Sequence, residues 1–391
     1  MNKKLKVLWF AAYPYDLVVA KTKSKFHPVP WITSLAELIK KDVDLTICNY
    51  HWRINKIVKI EKDGINFVFL PIPNIIIDIL TLKLIKIYRI RNWIKENEKN
   101  FDLIHINGTE YQFGNGVGKV NIPVIVSIQG VLSEVKKYWK PKLSIIYLSW
   151  LIDSFYEKRE LRRRENFICR THWDEGIVLN NNKYAKIFHN WEIIRSQFNP
   201  MQSNNYESYN LIYVGGFNPI KGYKEALLAF KCLHELDNRY KLIICGHASE
   251  ELLIHLKDKL NLYNSYQNIS LTGLIDAEEM VKLFEQSFCL LHPTYIDNSP
   301  NSVCEAQISG LPVIASNVGG VSSLINEGKS GLLVENKSVD EIVKSVLRLK
   351  DDPKLYMEIS NNAIGIAQTR HNKDIIVHKL LKTYKELVNE N

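Results

Sequence analysis

Cysteine is sparse in this chain: six among 391 residues, at Cys48, Cys169, Cys232, Cys245, Cys289 and Cys304, with no C-x-x-C pair and no histidine cluster at metal spacing. That excludes a disulfide scaffold or a structural zinc motif and points to a reducing cytoplasm. No low-complexity tract is present, and 18 Gly and 13 Pro are too few for a collagen-like or mostly disordered chain. Long hydrophobic runs are missing too. The most apolar stretch, Leu70 to Ile90, is broken by Pro71, Pro73, Asp78, Lys83, Lys86 and Arg89, each costly in a bilayer core. Met1 to Phe10 carries lysines but only a short apolar run, which reads as a first strand rather than a signal peptide. The expectation is a cytoplasmic protein, soluble or peripheral at the inner face of a membrane.

What is present is a globular composition, 46% apolar and 24% charged, in a chain long enough for two domains. The net charge of +9 is unevenly spread. Residues 1–200 hold 32 Lys and Arg against 19 Asp and Glu, and residues 201–391 hold 19 against 23, so the first part is +13 and the second −4. Such asymmetry suits an anionic partner on the first half, whether a lipid surface, a phosphorylated acceptor or nucleic acid. A solvated basic surface is the plainer alternative.

Short apolar runs alternate with helical periodicity, the pattern of a parallel α/β sheet. In the first half the runs are Lys6–Phe10, Asp44–Cys48, Asn66–Leu70, Leu103–Ile106 and Pro123–Ile128, with helical stretches at Pro30–Lys41 and Ile77–Asn97. The second half repeats the rhythm from Leu211–Val214 to Gly331–Val334 and ends in three helices. The polar stretch Asn199–Asn210 has a linker's composition. This divides the chain into 1–200, 209–370 and a final segment 371–391, a helix placed to cross back to the first domain. The economical architecture is two doubly wound domains with a cleft between them. Two helical stretches mix apolar and basic residues: Ile77–Asn97, and Leu143–Arg164 ending in Arg162, Arg163 and Arg164. Either lies on an anionic membrane or packs on its own sheet.

The most informative segment runs from Asp297 to Glu305 and on through Gly310-Leu-Pro-Val-Ile-Ala315. Ser299 is placed to cap a helix with Pro300 at its first position, and the free N–H groups near Asn301 and Ser302 make an anion site. Glu305 falls one turn past Asn301, and Asp297 hangs in the preceding loop, so two carboxylates flank a phosphate-sized hole. A second segment, Tyr213-Val-Gly215-Gly216-Phe-Asn-Pro-Ile-Lys221-Gly222, is a strand, a glycine turn and a lysine. Its glycines admit close backbone approach, and Lys221 offers a point charge for phosphate. It is not a Walker loop, because Lys221 precedes Gly222. Gly114-Asn-Gly116-Val-Gly118 misses the G-x-G-x-x-G spacing and reads as a loop. Arg170-Thr-His-Trp-Asp174 reads as a packed strand-to-helix corner, and His189, Glu192 and Arg195 belong to no motif.

Together these residues resemble the family 4 retaining glycosyltransferases of the GT-B fold, which build polysaccharides and glycolipids from nucleotide-sugars. The resemblance covers the second domain nearly end to end: the glycine and lysine turn, Gly246 after a strand, Leu271-Thr-Gly273-Leu274, the carboxylate pair, Gly310-x-Pro-Val-Ile-Ala, and Gly319-Gly320. The first domain resembles the family more loosely, through Asp102 to Glu110, Ser127-Ile-Gln129-Gly130, and Arg170 to Asp174. The resemblance implies an α/β protein with two Rossmann-like doubly wound parallel-sheet domains facing each other across a cleft.

By position, the resemblance implies that Glu305 accepts from the donor ribose and Asp297 from the transferred sugar. Ser299, Pro300, Asn301, Ser302 and Lys221 hold the diphosphate, Gly215, Gly216 and Gly246 admit it closely, and Gly273 and Leu274 face the base. Asp297, Glu305, Lys221 and His105 form the expected catalytic set, with His105, Gln129 and Glu110 on the acceptor side. The chain departs from the family's pattern in Asp297, where Glu is usual, in Gly216, where Arg is usual, in Gln129, where His is frequent, and in Phe10 to Asp16, which replaces a glycine-rich loop.

The resulting expectation is transfer from a UDP- or GDP-linked sugar to a saccharide or lipid-linked acceptor with retention, in cell-envelope, capsular or exopolysaccharide synthesis. No cofactor and no metal are expected, since no D-x-D motif stands near the cleft and Lys221 with helix N-termini can neutralise the diphosphate. Peripheral contact with an anionic membrane through the basic first domain fits this reading, and no nucleic acid is expected, because interleaved aromatic and basic repeats are lacking. The rivals are a nucleotide-sugar epimerase or sugar-phosphate synthase of the same fold, and a non-catalytic nucleotide-sugar or nucleic-acid binder.

Overall fold

The computed structural model describes residues 4–19, 29–139, 144–202 and 205–390. The starts of the expected first strand segment (Met1 to Lys3) and of the Leu143–Arg164 helix, and Ser203 and Asn204 of the expected linker, lie outside them. The chain forms two compact units, Met1–Ile193 with Asn372–Asn391, and Ile194–His371.

The first unit is built on Lys6–Phe10 (β1), Asp44–His51 (β2), Val58–Lys62 (β3), Ile65–Pro71 (β4), Leu103–Asn107 (β5), Val124–Ser127 (β6), Asn166–Cys169 (β7) and Lys186–His189 (β8). They form one sheet in the order β3-β4-β2-β1-β5-β6-β7-β8. All neighbours are parallel except β3 and β4, a hairpin. Its turn, Asp63-Gly64, takes left-handed backbone at both residues, φ 52 and 76, the geometry a two-residue hairpin needs. Strand β1 lies mid-sheet, so Val7 to Phe10 are buried on both faces, as parallel strands under helices must be. The helix Lys373–Asn389 belongs to this unit. Tyr384 from it accepts from Trp9 Nε1 at 2.9 Å inside the core.

The second unit carries Asn210–Val214 (β9), Lys241–Cys245 (β10), Ile269–Gly273 (β11), Cys289–His292 (β12), Val313–Ser316 (β13) and Leu332–Val334 (β14). The sheet order is β11-β10-β9-β12-β13-β14 and every pair is parallel. The chain winds outward one way from β9 and then the other way from β12. The switch point between β9 and β12 is where such sheets bind ligands, beyond the carboxyl ends of the strands. Leu211, Tyr213, Leu242, Ile244 and Leu291 pack with Phe230 and Leu233 of helix Tyr223–Leu236 and with Tyr356 in one fully buried core.

Three sequence expectations change. Asn199–Asn210 is no free linker: Met201 N–H donates to the Ser309 carbonyl at 3.1 Å, and Tyr206 packs edge-on against Tyr356. Its aromatics decide the matter against its polar average. Ile77–Asn97 is two helices, Ile75–Leu80 and Leu84–Asn97, split where Leu82 and Lys83 take left-handed backbone. Gly114 to Gly118 is not a loop but lies largely in a short helix, Phe113–Val117, whose buried glycines let Glu160 and Ile90 press against its backbone.

Candidate active site

The expected donor-site residues of the second unit all fall at the carboxyl end of its sheet. Gly215 and Gly216 follow β9, Gly246 follows β10, Gly273 ends β11, and Asp297 lies in the loop after β12. Backbone hydrogen bonds stitch these turns together: Gly215 and Gly216 N–H donate to the Cys245 carbonyl at 2.9 Å, and Gly246 N–H to the Gly273 carbonyl at 2.9 Å. Leu274, beside Gly273, is exposed.

Gly216 explains one departure from the family pattern. Its φ is +55, and a Cβ there would run into the His247 carbonyl, whose oxygen accepts from Phe217 N–H at 2.9 Å. An arginine does not fit this backbone, so the turn's cation is Lys221. Gly222 (φ +75) then turns the chain against Pro293, where a Cβ would meet the carbonyl.

Lys221 is carried to the β12 loop by these contacts. Tyr295 N–H donates to the Ile220 carbonyl at 2.8 Å and Thr294 Oγ1 to the same oxygen at 3.0 Å. Lys221 Nζ then forms an ion pair with Asp297 Oδ2. His292, at the end of β12 and 1% exposed, stands with Nε2 3.5 Å from the same carboxylate. Burial works to raise the Asp297 pKa, but Lys221 and His292 outweigh it and hold the carboxyl well below the usual range. Burial lowers the His292 pKa against the opposing pull of Asp297.

The helix that follows spans Asn301–Ser309, with Pro300 rather than Ser299 at the N-cap and no side-chain cap. Pro300 keeps extended backbone (ψ 122) and so stands outside the helix as its N-cap, and the first N–H groups, at Asn301 and Ser302, have no acceptor within the helix. Ser299 is buried beside them. Gly320 N–H donates to the Asp297 carbonyl at 2.9 Å, which ties the Gly319-Gly320 turn to this loop.

Glu305 is placed differently from a free acceptor. Its two oxygens take Arg195 Nε at 2.8 Å and Nη2 at 2.9 Å. Burial raises its pKa and Arg195 works against that rise. Asp297 and Glu305 therefore each hold a cation of their own. Arg195 and His292 are the residues that motif reading missed. His292 sits five residues before Asp297 at a strand end, a usable signal; Arg195 stands alone in sequence.

In the first unit the structure gathers His105, Gln129, Arg170 and Glu192 around a cavity of about 40 Å³, room for a water rather than a sugar. His105 is 1% exposed, and its ring nitrogens stand 2.6 Å from Tyr384 Oη and 2.6 Å from Ser127 Oγ. Burial pushes its pKa down to about 3. The expected catalytic His105 is thus a buried, neutral, doubly engaged side chain, with no nitrogen left for a substrate. Glu110 accepts from Gly130 N–H at 2.7 Å, and its other oxygen is buried without a partner. Burial, with Glu157 nearby, pushes its pKa up to about 7. Arg170 to Asp174 is the expected packed corner: Thr171 caps helix His172–Asn181 in a capping box with Asp174.

A parallel sheet of this order, with glycine turns, a lysine and two carboxylates at its switch point, is a doubly wound α/β unit whose polar side chains gather where such sheets bind ligands. Residues 196–365 match the family Glycosyl transferases group 1. The chain is 24% identical over 311 residues, 78% of its length and 80% of the relative's, to an uncharacterized glycosyltransferase of Methanocaldococcus jannaschii. It is 24% identical to the capsular polysaccharide biosynthesis glycosyltransferase CapM of Staphylococcus aureus, over 55% of this chain and 53% of that one. The fold is that of HepE from Anabaena, solved with UDP, at a TM-score of 0.71 and 13% identity over 98% of this chain and 100% of that one. The fold is GT-B, and the similarity to the group 1 glycosyl transferases lies in the second unit.

Among the described residues no group of three or more His, Cys, Asp and Glu could hold a metal ion. No helix among them is long and apolar enough to cross a membrane.

Proposed function

We propose that the protein is a family 4 enzyme that transfers a sugar from a UDP- or GDP-linked donor to a saccharide or lipid-linked acceptor with retention of configuration. Its setting is cell-envelope, capsular or exopolysaccharide synthesis, in the cytoplasm and peripheral at the inner face of an anionic membrane. The observation that carries the reading is the Lys221–Asp297 pair at the β9/β12 switch point, beside uncapped helix N–H groups at Asn301 and Ser302. CapM's name supports the polysaccharide setting. The HepE complexes with UDP and with UDP-glucose support the donor class.

In this reading the diphosphate takes Lys221 from Asp297 and lies on the helix N-terminus. The bond from the sugar's anomeric carbon to the phosphate oxygen breaks, and the electron pair stays with the leaving diphosphate. The acceptor hydroxyl oxygen bonds to the same carbon from the same face, and its proton passes to the departing phosphate oxygen. Asp297, freed, accepts from sugar hydroxyls, and Glu305, held rigid by Arg195, accepts from the ribose. The protein's part is orientation and electrostatic stabilisation. Neutralisation by Lys221 and helix dipoles requires neither cofactor nor metal.

The test is thermal stabilisation of the purified chain by a panel of nucleoside diphosphates and nucleotide-sugars in EDTA. A shift with one base, lost in Lys221→Ala, is expected. A folded sample that responds to none of them overturns the reading.

A further inference from the structure

One surface of the first unit is built inside out. Lys83 and Lys86 lie in an exposed-looking, basic stretch, yet each is 5% exposed. The left-handed break at Leu82 and Lys83 turns Lys83 inward, where Nζ meets Ser149 Oγ at 2.8 Å and Asp153 at 2.6 Å. Lys86 meets Asp78 at 3.1 Å. The apolar neighbours face the other way: Ile76 is 55% exposed, Leu80 77% and Leu84 57%. Burying two ion pairs is costly, and leaving isoleucine and leucine in water gains nothing in return, so the arrangement implies a non-aqueous neighbour.

The helix Ile145–Arg163 continues that surface. Leu148, Leu151 and Phe155 are exposed at i, i+3 and i+7, one face of the helix. One turn on, the exposed residues become Lys158, Arg159, Arg162 and Arg163. Lys83 binds this helix through Ser149 and Asp153, and Tyr156 Oη donates to the Leu82 carbonyl at 2.9 Å, so the two apolar stretches are sewn side by side. Half of the large apolar side chains exposed among the described residues lie between positions 75 and 88 or between 145 and 155. Patches of that concentration mark an interaction site.

The basic ends of the same helices converge as well. Arg91, Lys95, Lys119, Arg159 and Arg163 line a cavity of about 880 Å³. Four carboxylates line it too: Glu160 is taken by Arg164 at 2.6 Å, Glu390 by Lys186 at 2.8 Å, Glu98 accepts from a backbone N–H of Asn121, and Glu165 stands beside them.

We propose that this surface seats the first unit on an anionic bilayer. Leu80, Leu84, Leu148 and Phe155 enter the acyl boundary, and Lys95, Arg159 and Arg163 meet the headgroup phosphates, the arrangement of an in-plane attachment. Charge decides the occupant: a second copy on the same patch would set arginines against arginines, whereas anionic headgroups complement them. The inference deepens the membrane contact in the function proposed above by giving it residues.

The test is co-sedimentation of the full chain with phosphatidylcholine vesicles, with and without phosphatidylglycerol. Binding to the phosphatidylglycerol vesicles, weakened by salt, is expected. Leu80→Ser with Phe155→Ser lowers partitioning at least about tenfold, and Arg159→Ala with Arg163→Ala removes the preference for phosphatidylglycerol, both at an unchanged melting midpoint and nucleotide response. Absence of binding by folded protein overturns the proposal, as does binding indifferent to Leu80 and Phe155. A concentration-dependent dimer that the Leu80 and Phe155 changes dissolve also overturns it, since the patch is then a contact between copies. Vesicle binding without any nucleotide response leaves this surface standing and sinks the donor-site reading; the reverse result does the opposite.

Discussion

Arg195 grips Glu305 through two parallel N–H···O bonds of 2.8 and 2.9 Å, joining the start of the second unit to its carboxylate-bearing helix. A bidentate guanidinium fixes both oxygens in one plane, which a lysine cannot do. Arg195→Ala leaves a buried carboxylate without its cation. Because Arg195 is itself partly exposed, the expected loss is about 2 kcal/mol, below that of a fully buried pair. Urea denaturation checks it, and Glu305→Gln in the same chain recovers most of the loss. A single variant as stable as the parent means that the grip contributes nothing.

Lys221 and Asp297 give opposite expectations for binding and turnover. Lys221→Ala weakens nucleoside diphosphate binding at least about tenfold, as loss of a charge-assisted contact does. Asp297→Asn releases Lys221 and leaves that binding equal or tighter, while turnover drops about a hundredfold or more. Calorimetric titration beside a transfer assay separates the two. EDTA changes neither in the parent protein.

Gly216→Arg restores the residue usual in the family but not its function. The side chain enters at a left-handed position against the His247 carbonyl, a strain of about 1 to 3 kcal/mol. A lower melting midpoint with no gain in nucleotide affinity is expected. Tighter binding at full stability would show that the turn can reshape.

Glu110 sets a pH dependence of stability. Its pKa is raised to about 7 in the folded protein by burial, from the ordinary carboxyl value of about 4.3 in the unfolded chain. Between those values the folded state binds more protons, so this group's contribution to stability falls as pH rises and levels off above pH 7. Glu110→Gln keeps an acceptor for Gly130 and removes the titration. The variant gains on the parent between pH 5 and 8, roughly 2 to 3 kcal/mol at the upper end, read from denaturation at several pH values. Parallel curves for the two proteins would refute the assignment.

Strand positions were legible wherever hydrophobic runs met glycine or proline. Lys6–Phe10 has the bounds that the sequence predicts. What escaped were strands β7 and β8, short and mixed, and the β3 arm of a hairpin whose Asp63-Gly64 turn was there to be read. Of the candidate site, the lysine, the carboxylates and the helix start follow from local spacing, because turn chemistry is local. Arg195 on Glu305, 110 residues apart, is a tertiary pairing that no window contains. His105 illustrates the opposite limit: the resemblance implies an acceptor-side role for it, and Tyr384, 279 residues on, occupies it.

That last contact orders the making of the protein. Trp9 and His105 both close on Tyr384, so the core begun by strand Lys6–Phe10 waits for a residue made 375 positions after Trp9. The second unit, one unbroken stretch from Ile194 to His371, needs nothing downstream of itself. In synthesis, therefore, the middle of the chain can be finished while its beginning is still open, and a ribosome that stalls before residue 384 releases a folded second unit on an incomplete first one.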